Sequence, residues 1–100
     1  MLFLIAAAQL SAADLLDLRC VYVFQTVASA TTGEDRQAAK WTQQWFEGRL
    51  SARHPHLNVD DYVSKYFVFR KVASSSADLE QCSQTYTSWA AEQIVGQLRK

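Results

Sequence analysis

Apolar residues recur at helical spacing in four stretches of the chain, so the sequence predicts an all-α protein. The predicted helices cover residues 14–30, 34–53, a third stretch from Asn58, and 77–98. In each one, apolar side chains return every three or four positions, which places them on one side of a helix. The run 66–69 also fits a buried strand, but the spacing around it favours a helix. We therefore predict a small four-helix bundle.

The predicted helix ends carry residues that are typical of caps and turns. Three helices begin with a pair in which a short polar side chain satisfies free backbone amides. These pairs are Ser11 with Asp14, Asn58 with Asp61, and Ser75 with Asp78. Thr31-Thr32-Gly33, His54-Pro55-His56 and the triple serine 74–76 separate the helices. The breaks are short, which favours a single helical domain.

The apolar stripes predict which side chains form the core. The stripe of the first helix contains Leu16, Cys20, Val23, Phe24 and Val27. The second helix has two apolar faces and is expected to pack against two neighbours, one through Ala38, Trp41, Trp45, Gly48 and Ala52 and one through Ala39, Phe46 and Leu50. Gly48 beside Trp45 predicts the close approach of a neighbouring backbone. The stripe of the fourth helix contains Leu79, Cys82, Tyr86, Trp89, Ala90, Ile94 and Leu98.

Composition narrows the class of protein. The 100 residues are 49% hydrophobic and 20% charged, and ten acidic side chains balance ten basic ones. This balance excludes a disordered polyelectrolyte and argues against a nucleic-acid binder, which usually has a basic excess. The basic and aromatic residues that alternate over 65–71 fit a buried stripe edged by solvated charges better than a stacking platform for single strands.

The first thirteen residues are interpreted as a truncated secretory signal. Residues 1–8 are an unbroken apolar run, and Ser11 and Ala13 are the small residues expected before a cleavage site after Ala13. No Lys or Arg precedes the run, which departs from the usual pattern. The predicted mature domain is 14–100, periplasmic or secreted, without stable membrane insertion because the run is too short to span a bilayer. The alternative is that residues 2–10 begin a core helix in a cytosolic protein.

The chain has two cysteines, Cys20 and Cys82, and both fall on predicted buried stripes. An exported protein with an even number of cysteines is expected to pair them. This pairing would staple the first helix to the fourth. The alternative is two reduced thiols packed as small apolar side chains.

Arg49 is the one residue whose placement indicates chemistry. It lies between the two apolar faces of the second helix, and a half-buried guanidinium needs an acceptor. Asp17, beside the stripe of the first helix, is the expected partner in a structural ion pair or a possible anion site. His54 and His56 lack zinc-type spacing, and no nucleophile elbow or phosphate loop is recognisable. We predict no cofactor, no metal and no catalytic activity.

Three quoted stretches carry a family resemblance. Asp17-Leu18-Arg19-Cys20, the block from Phe46 to Pro55 (FEGRLSARHP) and the late Cys82 resemble a pattern found in small exported proteins of sphingomonad-type alphaproteobacteria. The resemblance implies a helical fold, a Cys20–Cys82 disulfide and a periplasmic address. It also implies that Asp17, Arg49 and Arg53 matter for the fold or for a ligand, and it implies no activity. The short leader and Ser51, where an acidic residue is common, depart from the pattern.

These observations favour a small exported helical protein that acts without catalysis, by binding or as an accessory of the cell envelope, with a protein as its possible partner. One alternative is a periplasmic stress chaperone. Another is a ligand-binding or hydrolytic protein that uses Arg49 and Asp17. A cytosolic interaction module is the third, if residues 1–13 are helix.

Overall fold

A computed structural model describes residues 10–68 and 75–98, and within these ranges it contains helices and no strand. The helices are α1 (Ala12–Ala30), α2 (Gly33–Arg53), α3 (Val59–Val63), which continues as one π-helical turn over Ser64–Val68, and α4 (Ser76–Leu98). The all-α prediction is confirmed. Phe69 and Val72, expected on the apolar side of the third helix, and most of the expected leader lie outside the described residues.

The capping pairs predicted from the sequence are present. The Ser11 hydroxyl accepts from the Asp14 amide at 3.1 Å, and the Asp14 carboxylate accepts from the Ser11 amide at 2.9 Å. Asn58 caps α3 through the Asp61 amide at 3.0 Å. The Ser75 hydroxyl accepts from the Asp78 amide at 3.1 Å at the start of α4. These local bonds satisfy amides that have no partner inside the helix, and so they fix where three helices begin.

Helices α1 and α2 form an antiparallel hairpin with a very short turn. Gly33 follows the turn residues Thr31 and Thr32 and has a φ of 64°, a left-handed conformation that favours glycine. The Arg36 Nε donates to the carbonyl oxygens of Ala28 at 2.9 Å and Thr31 at 2.8 Å. One guanidinium therefore closes the carboxyl end of α1, where the last turn has no basic residue of its own.

The core lies between α1, α2 and α3. Its buried members come mainly from α1, with Phe46 and Leu50 from α2, Val59 and Val63 from α3, and Phe67 from the π-helical turn. Their side chains interlock as rings: Phe24 stacks on Phe46 with centroids 6.1 Å apart, and Tyr22 stacks on Phe67 at 5.2 Å. The π-helical turn places Phe67 against α1, and the chain is helical through Val68, as the spacing predicted.

Only one of the two apolar faces predicted on α2 is buried. Ala39, Phe46 and Leu50 pack against α1, as expected. The other face is open: Trp41 is 62% exposed, Ala38 and Ala52 are exposed, and Trp45 is half-buried. The predicted close approach at Gly48 is wrong, because a Cβ there would meet nothing within 4 Å. The reason is that α4 lies mainly against α1 and meets α2 through the Trp45 ring.

Helix α4 is held to the hairpin at its first half. The Cys20–Cys82 disulfide is present, with Cα atoms 5.5 Å apart, and Trp45 packs against Tyr86 and Trp89 with ring centroids 5.3 and 5.1 Å away. Within α4, all of which lies in the described range, Cys82 is the one fully buried residue. The predicted buried stripe is therefore wrong at Leu79 and Trp89, which are exposed, and over Ala91 to Leu98, where every residue is exposed.

The last turns of α4 extend past the hairpin, which is why the apolar residues there find no neighbour among the described residues. Over the described ranges 10–68 and 75–98, no helix is both long enough and apolar enough to cross a bilayer.

Candidate functional site

Two buried carboxylates of α1 face a cluster of basic side chains at the carboxyl end of α2. Asp14 and Asp17 are one turn apart on α1 and are 2% and 1% exposed. Because the helices are antiparallel, this first turn of α1 lies beside Arg49, Arg53 and His54. The register of the two helices is enough to bring these residues together, and no loop residue beyond His54 contributes. We refer to these five side chains as the charge cluster.

Arg53 joins the two carboxylates. Its Nε donates to Asp14 Oδ1 at 2.7 Å, and its Nη2 donates to Asp17 Oδ2 at 2.6 Å. Charge-assisted hydrogen bonds of this length are about twice as strong as neutral ones. The Arg53 side chain itself is 37% exposed, so the bonds lie at the rim of the core. The hydrogen bond with Asp17 raises the pKa of Arg53 and keeps the guanidinium charged.

The Asp14 carboxylate has three polar contacts. Besides Arg53, it accepts from the Ser11 amide, and its Oδ2 lies 2.8 Å from His54 Nε2. Burial by itself raises the pKa of Asp14, but the hydrogen bonds from Ser11, His54 and Arg53 together lower it more, so the pKa lies well below its usual range. Because Asp14 is ionised, the Nε2 of His54 carries the proton and donates.

Arg49 also contacts Asp17, but at a longer distance than Arg53 does. Its Nε is 3.4 Å from Asp17 Oδ2, and its guanidinium lies 4.9 Å from the Trp45 ring centroid in a cation–π contact. The side chain is 36% exposed. The structure thus brings together Asp17, Arg49 and Arg53, the three residues singled out in the sequence, and Arg53 is the closer partner of Asp17.

Within the charge cluster, Asp14 and Arg53 hold fixed charges and are not poised to transfer protons. A general acid or base must change its protonation state near the working pH. Asp14 stays ionised far below neutral pH, and Arg53 stays charged. Among residues 10–68 and 75–98, no group of His, Cys, Asp and Glu side chains converges in a way that could hold a metal ion.

Two members of the charge cluster, Asp14 and His54, were not predicted from the sequence. Asp14 was interpreted only as part of a helix cap, and His54 only as part of a solvated turn. A signal was present: Asp14 and Asp17 are three positions apart, and Arg49 and Arg53 are four apart, so each pair lies on one side of its helix. Two charged pairs on facing helices would have indicated a double ion pair.

A second candidate site is the exposed apolar half of α4. Ile94, Val95 and Leu98 are 59%, 44% and 81% exposed, and we call them the α4 surface. Single exposed apolar side chains are normal, but several on one projecting helix are typical of an interaction site. Between Cys82 and Leu98 the one charged residue is Glu92, so little charge separates these side chains.

The chain matches no family model, no curated protein and no solved structure. The two candidate sites therefore depend on the geometry of this molecule alone. The charge cluster is closed by its own partners, whereas the α4 surface is open among the described residues. The open surface is the stronger candidate for a function.

Proposed function

We propose that this protein is a small exported binding protein without catalytic activity, and that it binds another polypeptide through the α4 surface. The observation that carries the proposal is the exposure of Ile94, Val95 and Leu98 on a helix that projects from the hairpin. A buried α4 would have contributed to the core, as the sequence pattern predicted. Exposed apolar side chains on a rigid helix instead supply a groove partner or a helix partner with area to bury.

Two features support the exported part of the proposal. Cys20 and Cys82 are joined, and disulfides persist mainly in oxidising compartments such as the periplasm. The apolar run 1–8 with small residues before Asp14 resembles a leader. Intact-mass measurement of the natively expressed protein tests both: we expect loss of residues 1–13 and of two thiol protons. A full-length chain with two free thiols would contradict export.

The binding part is tested with a defined probe. A fluorescent amphipathic helical peptide with Leu at its a and d heptad positions is titrated with the wild-type chain, Leu98→Glu and the control Gln97→Glu. We expect micromolar binding to the wild type, at least about tenfold weaker binding to Leu98→Glu, and unchanged binding to the control. No binding to the wild type at millimolar concentration would refute the proposal.

The exposed α4 surface also favours a stress chaperone as the second candidate. A chaperone of this kind would hold unfolded clients and suppress their aggregation. If acid triggers it, binding of a hydrophobic dye should rise sharply near pH 3. Dye fluorescence that stays flat between pH 7 and pH 3, together with no effect on client aggregation, would exclude this candidate and leave the binding proposal intact.

The use of Arg49 and Asp17 in hydrolysis or ligand binding is less well supported. Asp17 is engaged by Arg53 at 2.6 Å, and Arg49 is held by Asp17 and Trp45. A ligand would have to displace these contacts and leave a buried carboxylate without its partner, which is costly.

A further inference from the structure

We propose that the polypeptide bound by α4 is a second copy of this chain, seated antiparallel on residues 87–98 to form a twofold-symmetric dimer. This inference rests on the proposed function and names the partner of the same surface. It uses a stripe of α4 that we call the seam, formed by Ile94 and Leu98 of the α4 surface together with Thr87 and Ala91, all of which are exposed.

The spacing of the seam is that of a helix-pairing stripe. Its residues are four, three and four positions apart, the alternation that keeps side chains on one line when two helices pack at a small angle. At 3.6 residues per turn, the seam lies on the side of α4 away from the Cys82, Tyr86 and Trp89 side that contacts the hairpin. A second helix can therefore approach without meeting the hairpin of the first copy.

The seam is also complementary to itself in side-chain size, which favours a second copy as the occupant. An antiparallel pair with its twofold axis between residues 92 and 93 places Leu98 opposite Thr87, and Ile94 opposite Ala91. Each large side chain then meets a smaller one, and each contact occurs twice, as a twofold interface requires. A parallel pair would instead place Ile94 opposite Ile94, which is crowded, and Ala91 opposite Ala91, which leaves a gap.

Charge allows the two copies to meet. The formal net charge of the chain is zero, so two copies do not repel each other over long range. The nearest charged residue on the seam line is Glu80, two turns before Thr87 and beyond the antiparallel overlap. The overlap is about 16 Å of helix. An overlap this short buries less area than a standard specific interface, so we expect a weak dimer with a dissociation constant of about 0.1 mM.

Sedimentation velocity of the full oxidised chain, from about 1 µM to about 1 mM, tests the proposal. We expect a concentration-dependent shift from monomer to dimer. Ile94→Glu should weaken the dimer at least about tenfold, because two carboxylates would be buried near the axis. The matched control Gln97→Glu adds the same charge off the seam and should leave dimerisation unchanged. Helical content and the disulfide are checked in each variant, and position 94 is exposed in the monomer.

A mixing experiment tests the register. Chains with Ile94→Glu are combined with chains carrying Ala91→Lys, which the antiparallel register places opposite each other. We expect a heterodimer tighter than either variant forms alone. A chain that stays monomeric at every concentration overturns the proposal, whether its α4 remains open or another segment of the same chain covers it. A dimer that survives Ile94→Glu, or a mixture that gains nothing, overturns it as well. Peptide binding without dimerisation would refute this inference and leave the proposed function standing.

Discussion

Reduction of the disulfide is expected to release α4 from the hairpin before the rest of the molecule unfolds. Cys82 is the one fully buried residue of α4 in the described range. Among the described residues, α4 is also attached through the packing of Tyr86 and Trp89 on Trp45 and through an ion pair between Arg19 and Asp78 at 3.5 Å, whose Arg19 side chain is half exposed. Exposed pairs of this kind contribute little to stability. The covalent bond is therefore the main attachment of α4.

The size of the effect follows from the length of the loop. The bond joins residues 62 positions apart. In the chain-entropy treatment, opening a loop of this length costs about 4 kcal/mol of stability at 25 °C. For a domain of this size, that corresponds to a fall in Tm of roughly 15–30 °C. Because whole domains have only about 5–15 kcal/mol of stability, the reduced protein should be marginal.

The assay compares the oxidised protein with protein held in a phosphine reductant, by urea denaturation and by hydrogen exchange of peptide fragments. We expect the amides of α4 to lose protection first, while those of α1 and α2 remain protected. Chains with both Cys20→Ala and Cys82→Ala serve as the control, since the reductant should not alter them. A stability change below about 1 kcal/mol, or simultaneous loss of protection in all helices, would refute the reasoning.

Three further results are expected. Because the folded pKa of Asp14 is lowered, its ionisation stabilises the fold above about pH 4, and this contribution is lost as the pH falls further. Urea titrations from pH 7 to 2 should show a loss of stability in acid that is smaller in Asp14→Asn. An identical slope in both proteins would contradict this. Arg53→Ala should lower the free energy of unfolding by about 2–3 kcal/mol, and Arg19→Ala should lower it by less than about 1 kcal/mol, both measured by urea denaturation. Equal losses would mean that the charge cluster stabilises the fold no more than an exposed ion pair does. Gly48→Ala should raise stability by up to about 1 kcal/mol because the site is open, whereas Gly33→Ala should lower it because of the positive φ; Tm measurements that reverse this order would refute the assignment.

The features that could be predicted from the sequence are local ones. The cap pairs at Ser11 and Asn58 depend on residues three positions apart, so spacing alone places them. The cysteines could be paired because both fall on apolar stripes and the leader favours an oxidising compartment. The positive φ of Gly33 corresponds to a turn that its neighbours Thr31 and Thr32 already indicated.

What could not be predicted depends on how far one helix runs along another. Periodicity showed two apolar faces on α2, but it does not say which face meets a neighbour, and Trp41 was assigned to the core. The stripe of α4 is equally regular before and after Trp89, yet only the first half meets the hairpin. Likewise, periodicity does not fix the α1–α2 register. Because Arg49 and Arg53 are about one helical turn apart on α2, it is this register that makes Arg53 the closer partner of Asp17.

The two-residue turn between α1 and α2 has a consequence for the order of folding. Contacts beside the turn, such as that of Arg36 with Ala28, join positions close in sequence. The hairpin can therefore close from the turn outwards, with little chain entropy lost at each step, and is expected to form fast. The α1–α2 hairpin, which carries Cys20, can therefore form before the segment that contains Cys82 has folded. Formation of the disulfide would then attach α4 and complete the fold.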